Sequence, residues 1–180
     1  QKITTLVLTV FLPLSLVFGQ GAELKFKIEN APEGTAKLAY YYGNKQYIKD
    51  SARVDNTGSF TFKSDTKYDE GIYLVVLPPK NKYFEVIMDA EQKWTISANH
   101  SDLVMSRKVK GSQENTVFLE YLKDLESKKL AIEAPNKIKQ HYESDTTDVN
   151  QSYKEKPAYK NAIEEIKKIN QEVADFKEGF

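Results

Sequence analysis

Few side chains in this sequence are equipped for chemistry, and their spacing narrows the choice further. None of the 180 residues is cysteine, so no thiolate is at hand for nucleophilic attack or disulfide exchange. His100 and His141 are the two histidines. They share no metal-ligand spacing, and His100, between Asn99 and Ser101, reads as a loop residue. No nucleophile elbow, P-loop or dinucleotide fingerprint occurs. Asp50, Asp55, Asp65, Asp69 and Glu70 gather near expected turns. Two of them brought together by neighbouring strands would suit acid–base catalysis, but their spacing recommends no pair. Asp55-Asn56-Thr57-Gly58 begins like a calcium loop, lacks the later ligands, and reads as a turn. What remains is aromatic. Tyr40, Tyr41 and Tyr42 are consecutive, and Tyr47 follows across Gly43-Asn44. These four rings are the candidate ligand surface, a platform for a sugar or peptide. The plainer reading is cross-strand packing that steadies a hairpin by about 0.2–1 kcal/mol per pair.

Those tyrosines must ride on strands. Leu24, Phe26 and Ile28 alternate with Lys25, Lys27 and Glu29, one face for a core and one for water. Ala36 to Tyr42 is the next run, with Gly43-Asn44 as a tight turn and Lys45 to Val54 as the return. Adjacent residues on a strand point to opposite faces, so at least one of the three consecutive rings is expected on the outer face. Asp55-Asn56-Thr57-Gly58 turns the chain again, and Phe60 and Phe62 alternate with polar residues. Ile72 to Leu77 is apolar throughout and reads as a strand buried on both faces. Pro78-Pro79 ends it, because proline removes a ladder donor. Tyr83 to Met88 and Trp94 to Ser97 complete the set. About seven short strands with regular turn signals predict an antiparallel β-sandwich over residues 20–110.

Beyond Gly111 the period changes, and a helical extension is expected over residues 111–180. The fold class is therefore β-rich α+β. Ser112 is a suitable N-cap, and Glu114 in the first turn favours the helix dipole. Phe118, Tyr121, Leu122, Leu125 and Ile132 fall on one helical face. Pro135-Asn136 interrupts that pattern, and Ser144 to Ser152 reads as a loop. Pro157 opens another helix. Its seam of Tyr159, Ala162, Ile166, Ile169, Val173, Phe176 and Phe180 is expected to pack on the first helix or the sheet, with Glu164 placed to pair with Lys168. Phe180 is still in phase with that seam, so a longer natural protein is expected.

Leu6 to Phe18 is an uncharged apolar run preceded by Lys2 and followed by Gly19. This is the pattern of a secretory signal peptide over residues 1–19, with cleavage before Gln20. The run is too short for a span of about 20 apolar residues and contains Pro13. With Gln at position 1, the true start is expected upstream. About 160 residues would remain, enough for a core without disulfide staples. The 180 residues carry 26 basic and 26 acidic side chains. Such balance argues against nucleic acid as a partner and offers no electrostatic case for a membrane after leader removal.

Several segments together resemble a known family of accessory domains. They are Tyr47-Ile48-Lys49-Asp50-Ser51-Ala52, Val54-Asp55 and Gly58-Ser59-Phe60-Thr61-Phe62. To these add Gly71-Ile72-Tyr73-Leu74-Val75-Val76, Val109-Lys110-Gly111-Ser112, Glu114-Asn115, Phe118 and Tyr121. In order and spacing they resemble the β-rich domain of unknown function that precedes a thioredoxin-like domain in exported Gram-negative proteins of the TlpA/ResA kind. The resemblance implies a periplasmic or cell-envelope location. It implies a non-catalytic role without cofactors, the redox Cys-x-x-Cys lying in the following domain. The implied partner is a thioredoxin-like domain in cis, or a second copy joined through the C-terminal helix. A free-standing glycan- or peptide-binding module on Tyr40–Tyr47 is the alternative.

Overall fold

A computed structural model describes residues 21–145, 147–148 and 150–179. The leader reading of residues 1–19, the cleavage point before Gln20 and the last seam residue, Phe180, lie outside them. Among the described residues eight strands come first: β1 Ala22–Glu29, β2 Gly34–Tyr42, β3 Lys45–Val54, β4 Ser59–Ser64, β5 Gly71–Leu77, β6 Lys82–Met88, β7 Lys93–Asn99 and β8 Lys108–Lys110. They form two four-stranded sheets, ordered β4-β1-β7-β8 and β3-β2-β5-β6. The β-sandwich read from alternation is the fold, with one strand more than expected. That strand, β8, is three residues long, too short for alternation to reveal.

The alternating apolar residues meet between the sheets. Leu24, Phe26 and Ile28 of β1 face Phe84 and Val86 of β6 in one core with Leu38, Val75, Leu77, Trp94 and Ile96. Phe26 is its hub. Its ring stacks on Phe60 at 4.8 Å and meets Phe62 and Trp94 edge-on at 5.7 and 5.6 Å. The antiparallel expectation needs one correction. β1 pairs antiparallel with β4 but parallel with β7, with Leu24 beside Trp94 and Phe26 beside Ile96. Alternation fixes which face a residue takes, but carries no information on the direction of the neighbouring strand.

The Asp55–Gly58 turn holds as read. Asp55 accepts hydrogen bonds from Thr57 N and Ser59 N at 2.8 and 2.9 Å and from the Thr57 hydroxyl at 2.7 Å. These donors hold its carboxyl below the usual range. Gly58 ends the turn at φ +74°, and a Cβ there would lie 2.0 Å from Ile28 O. The close approach lets Ile28 N donate to Gly58 O at 2.8 Å. Gly58→Ala should therefore destabilise the domain by roughly 2 kcal/mol or more, through strained φ and displaced backbone. Urea unfolding measures this, and an unchanged midpoint would refute the account.

Three helices follow: α1 Gln113–Ala131, α2 Glu133–Glu143 and α3 Pro157–Gly179. Ser112 is the N-cap of α1, its hydroxyl accepting from Asn115 N at 3.1 Å. Pro135 sits in the first turn of α2, where its missing N–H costs no helical bond. The interruption read there is the passage from α1 to α2, which begins at Glu133. A short 3₁₀ turn, Ser152–Glu155, closes the α2–α3 connection. The seam of α3 packs inward on α1 and α2, with Ala162 and Ile169 buried. Phe176 stacks on Tyr121 at 5.5 Å. Lys168 reaches Glu172 at 4.0 Å, not the expected Glu164.

The helices join the sandwich at the edge of β6. Asn115, 3% exposed, accepts from Ile87 N at 2.8 Å and donates to Ile87 O at 2.7 Å. Its amide thus pairs with a strand peptide as another strand would. Beside it the buried Arg107 donates to Glu85 O at 3.3 Å and to Leu103 O at 2.7 Å. Its guanidinium lies 4.6 Å from the Phe84 ring centroid, and burial pulls its pKa down to about 10. Together the two side chains close an edge that would otherwise offer unpaired groups to another chain.

Candidate functional site

The four predicted tyrosines sit on the β2–β3 hairpin, and the hairpin sorts them onto two faces. A bulge between Leu38 and Ala39 shifts the register so that Tyr40 lies opposite Tyr47 and Tyr41 opposite Gln46. Tyr40, Tyr42 and Tyr47 share the core-facing side. Tyr41 takes the other side, where its hydroxyl accepts from Gln46 Nε2 at 2.7 Å. One ring of the consecutive three thus faces outward, as alternation requires.

On the core-facing side the rings form a file. Tyr42 meets Tyr47 edge-on at 6.5 Å, Tyr47 lies 5.9 Å from Tyr40, and Tyr40 lies 5.9 Å from Tyr73. Tyr73 then contacts Tyr68 at 6.3 Å. Exposure falls from 76% at Tyr42 to 7% at Tyr68. The plainer reading of cross-strand packing therefore describes most of the file. The wet corner between Tyr42 and Tyr47 is what a ligand could reach.

Polar groups at the buried end hold the file in place. Tyr68 donates to Asp50 Oδ2 at 2.6 Å. Burial, then the Asp50 hydrogen bond, pushes the Tyr68 hydroxyl pKa well up, so it stays protonated at neutral pH. Gln92, 2% exposed, accepts from Tyr68 N at 2.8 Å and donates to Tyr68 O at 3.0 Å. Lys49 pairs with Asp69 at 3.1 Å, and that hydrogen bond raises the lysine pKa. The carboxylates singled out in the sequence are thus divided. Asp50 takes Tyr68, Asp69 takes Lys49, and Asp55 caps its own turn. Among the described residues no group of three histidines, cysteines or carboxylates could hold a metal ion. None of their helices is long and apolar enough to cross a membrane.

A second surface was not singled out by the sequence. On the outer side of β3-β2-β5-β6, Ala39 pairs with Ile48 and Leu74, and Val76 pairs with Lys37 and Tyr83. Ala39 and Leu74 form a buried floor. Around it stand Ile48 at 61%, Ile72 and Tyr83 at 55% and Tyr41 at 51% exposure. A groove of about 370 Å³ opens there between Ile48, Leu74, Val76 and Tyr83. The apolar run Ile72 to Leu77, read as buried on both faces, is in part exposed on this one. The available signal was the apolar set at Ile72, Leu74 and Val76 within that run, which reports apolarity on a face without saying whether anything covers it.

Comparison with known proteins gives one result. No curated protein and no solved structure matches the chain. The model of one family matches residues 23–118, from β1 into the first turns of α1. The chain accordingly belongs to the family described as Domain of unknown function (DUF4369).

Proposed function

We propose that this domain is a non-catalytic interaction module of the cell envelope, accessory to a thioredoxin-like thiol–disulfide protein, and that it holds its partner against the outer face of β3-β2-β5-β6. The observation that carries the proposal is that face: Tyr41, Ile48, Ile72 and Tyr83 stand more than half exposed around an apolar floor. A contiguous exposed apolar patch marks a contact surface on a protein that is otherwise charged outside. The segments quoted above for the thioredoxin-associated family supply the partner's identity. β3 and β5, which build much of this face, carry two of them.

The test starts with the reading frame beyond residue 180, where a Cys-x-x-Cys thioredoxin-like segment is expected. With that segment purified separately, the chain should bind it. Ile48→Glu with Ile72→Glu should weaken the complex at least about tenfold by calorimetry, the loss of two desolvated apolar contacts. A frame that ends without such a segment, or binding indifferent to both substitutions, would overturn the reading.

The exposed Tyr42–Tyr47 corner favours a second reading, a glycan or peptide site. In that case Tyr42→Ala with Tyr47→Ala abolishes binding to arrayed glycans or peptides while the domain still unfolds cooperatively, its melting temperature lowered by only the few degrees that the lost ring pairs account for.

A further inference from the structure

The overall charge balance conceals a separation that the strand register makes visible. The outer side of β4-β1-β7-β8 is laid out in rows across the strands. One row is Lys63, Glu23 and Lys93; the next is Thr61, Lys25, Thr95 and Lys110; the third is Ser59, Lys27, Ser97 and Lys108. Glu29 and Asn99 end the face. Six lysines thus stand against two glutamates. Glu23 is engaged with Lys25 at 3.2 Å, and Lys27 donates to Thr57 O at 2.7 Å. Lys63, Lys93, Lys108 and Lys110 have no hydrogen-bond or ion-pair partner among the described residues. Between Lys25, Lys93 and Lys110 the surface dips into a shallow depression of about 350 Å³ with Thr95 and the Lys25-paired Glu23 in its lining.

We propose that this face docks on an anionic lipid bilayer. Its shape and chemistry select that partner. The lysines stand on one broad sheet face, those of one row two strands and so about 10 Å apart, those of one strand about 7 Å apart. A groove following a single polymer strand would instead line its cations up in one file and supply rings for bases to stack on. Among the described residues no aromatic side chain of these strands occupies this face. The hydroxyls of Thr61, Thr95 and Ser97 lie beside the cations, where they can donate to headgroup oxygens, while the Ser59 hydroxyl is engaged with Thr57 at 2.9 Å. Among the described residues the strands present no apolar side chain on this face to insert, so the association is electrostatic and reversible by salt. The surface lies on the opposite side of the sandwich from the apolar one, and both can be occupied together.

Co-sedimentation with lipid vesicles tests the proposal. The chain should pellet with vesicles of equal phosphatidylglycerol and phosphatidylcholine but not with phosphatidylcholine alone. The bound fraction should fall at least about tenfold between about 0.05 and about 0.5 M salt. Lys93→Glu with Lys110→Glu should abolish binding. Lys45→Glu with Lys80→Glu, the same charge change away from this face, should leave more than half of it. Lys63→Gln with Lys108→Gln offers a milder pair should the first fail to fold. The proposal is overturned by equal binding to neutral vesicles or by indifference to the lysine changes. Capture by soluble polyphosphate or an acidic polysaccharide with no vesicle binding would also overturn it, pointing to a polymer instead.

Discussion

Phe26→Ala should remove about 3–5 kcal/mol of stability and lower the melting temperature by roughly 10 °C or more. The ring lies 2% exposed at the centre of the sandwich. It stacks on Phe60, meets Phe62 and Trp94 edge-on, and lies 6.1 Å from Phe84 of the opposite sheet. Three of these partners share its sheet and the fourth faces it, so truncation opens a cavity that no single neighbour can fill. The loss includes aromatic pair energies of about 0.5–1.5 kcal/mol each, beyond the area buried. Phe26→Leu keeps much of the volume and should cost distinctly less. Chemical unfolding of both variants decides the matter. A loss for Phe26→Ala below about 1 kcal/mol, the size of an ordinary substitution, would show that the core is centred elsewhere.

Asn115→Leu should cost about 2–4 kcal/mol, because it leaves both Ile87 peptide groups without partners in a half-buried place. Leucine keeps asparagine's branching but carries bulkier methyls, so Asn115→Ala, which removes the same hydrogen bonds without added bulk, separates hydrogen bonding from overpacking. Asn115 Nδ2 also donates to the Ser112 hydroxyl at 3.0 Å, so the cap of α1 weakens at the same time. The expected signature is local. Amide exchange at Ile87 should accelerate by an order of magnitude or more, while the amide of Phe26, deep in the other sheet, slows or quickens only with global stability. Unchanged protection at Ile87 would show that another group caps this edge.

Both effects trace to residues of very different legibility. Phe26 announces itself, since it is the middle apolar member of an alternating run. Asn115 lies within the segment that resembles the accessory family, yet nothing in a Glu-Asn pair at a helix start says that the amide will bond a strand 28 residues earlier. Ser112 was readable as a cap because capping is local. The hairpin tyrosines stand between these cases. Alternation places one ring outward, but the register bulge beside Ala39 decides that Tyr47 faces Tyr40. A bulge of this kind leaves no trace in side-chain type. The parallel β1–β7 pair was hidden because alternation does not encode strand direction, and β8 because three residues are too few to alternate. The exposure of Ile72 depends on where the helices go, and they settle on the edge of β6 rather than on the face beyond it. The lysine field was hidden by averaging: the strands assemble on one face cations that the whole-chain composition cancels.

The two sheets also differ in when they can be completed. The β3-β2-β5-β6 sheet uses strands that follow one another closely along the chain, and all of them have been made once Met88 has emerged. The other sheet must wait. Its second strand in order, β1, is the earliest strand among the described residues, and one of its two neighbours is β7, which begins only at Lys93. Closing so long a loop is entropically slow, and contacts of this range set folding rates. A chain delivered from its N-terminus would therefore carry Leu24, Phe26 and Ile28 half-satisfied until β7 appears. That window, rather than the finished structure, is where the domain is most open to aggregation and to chaperones.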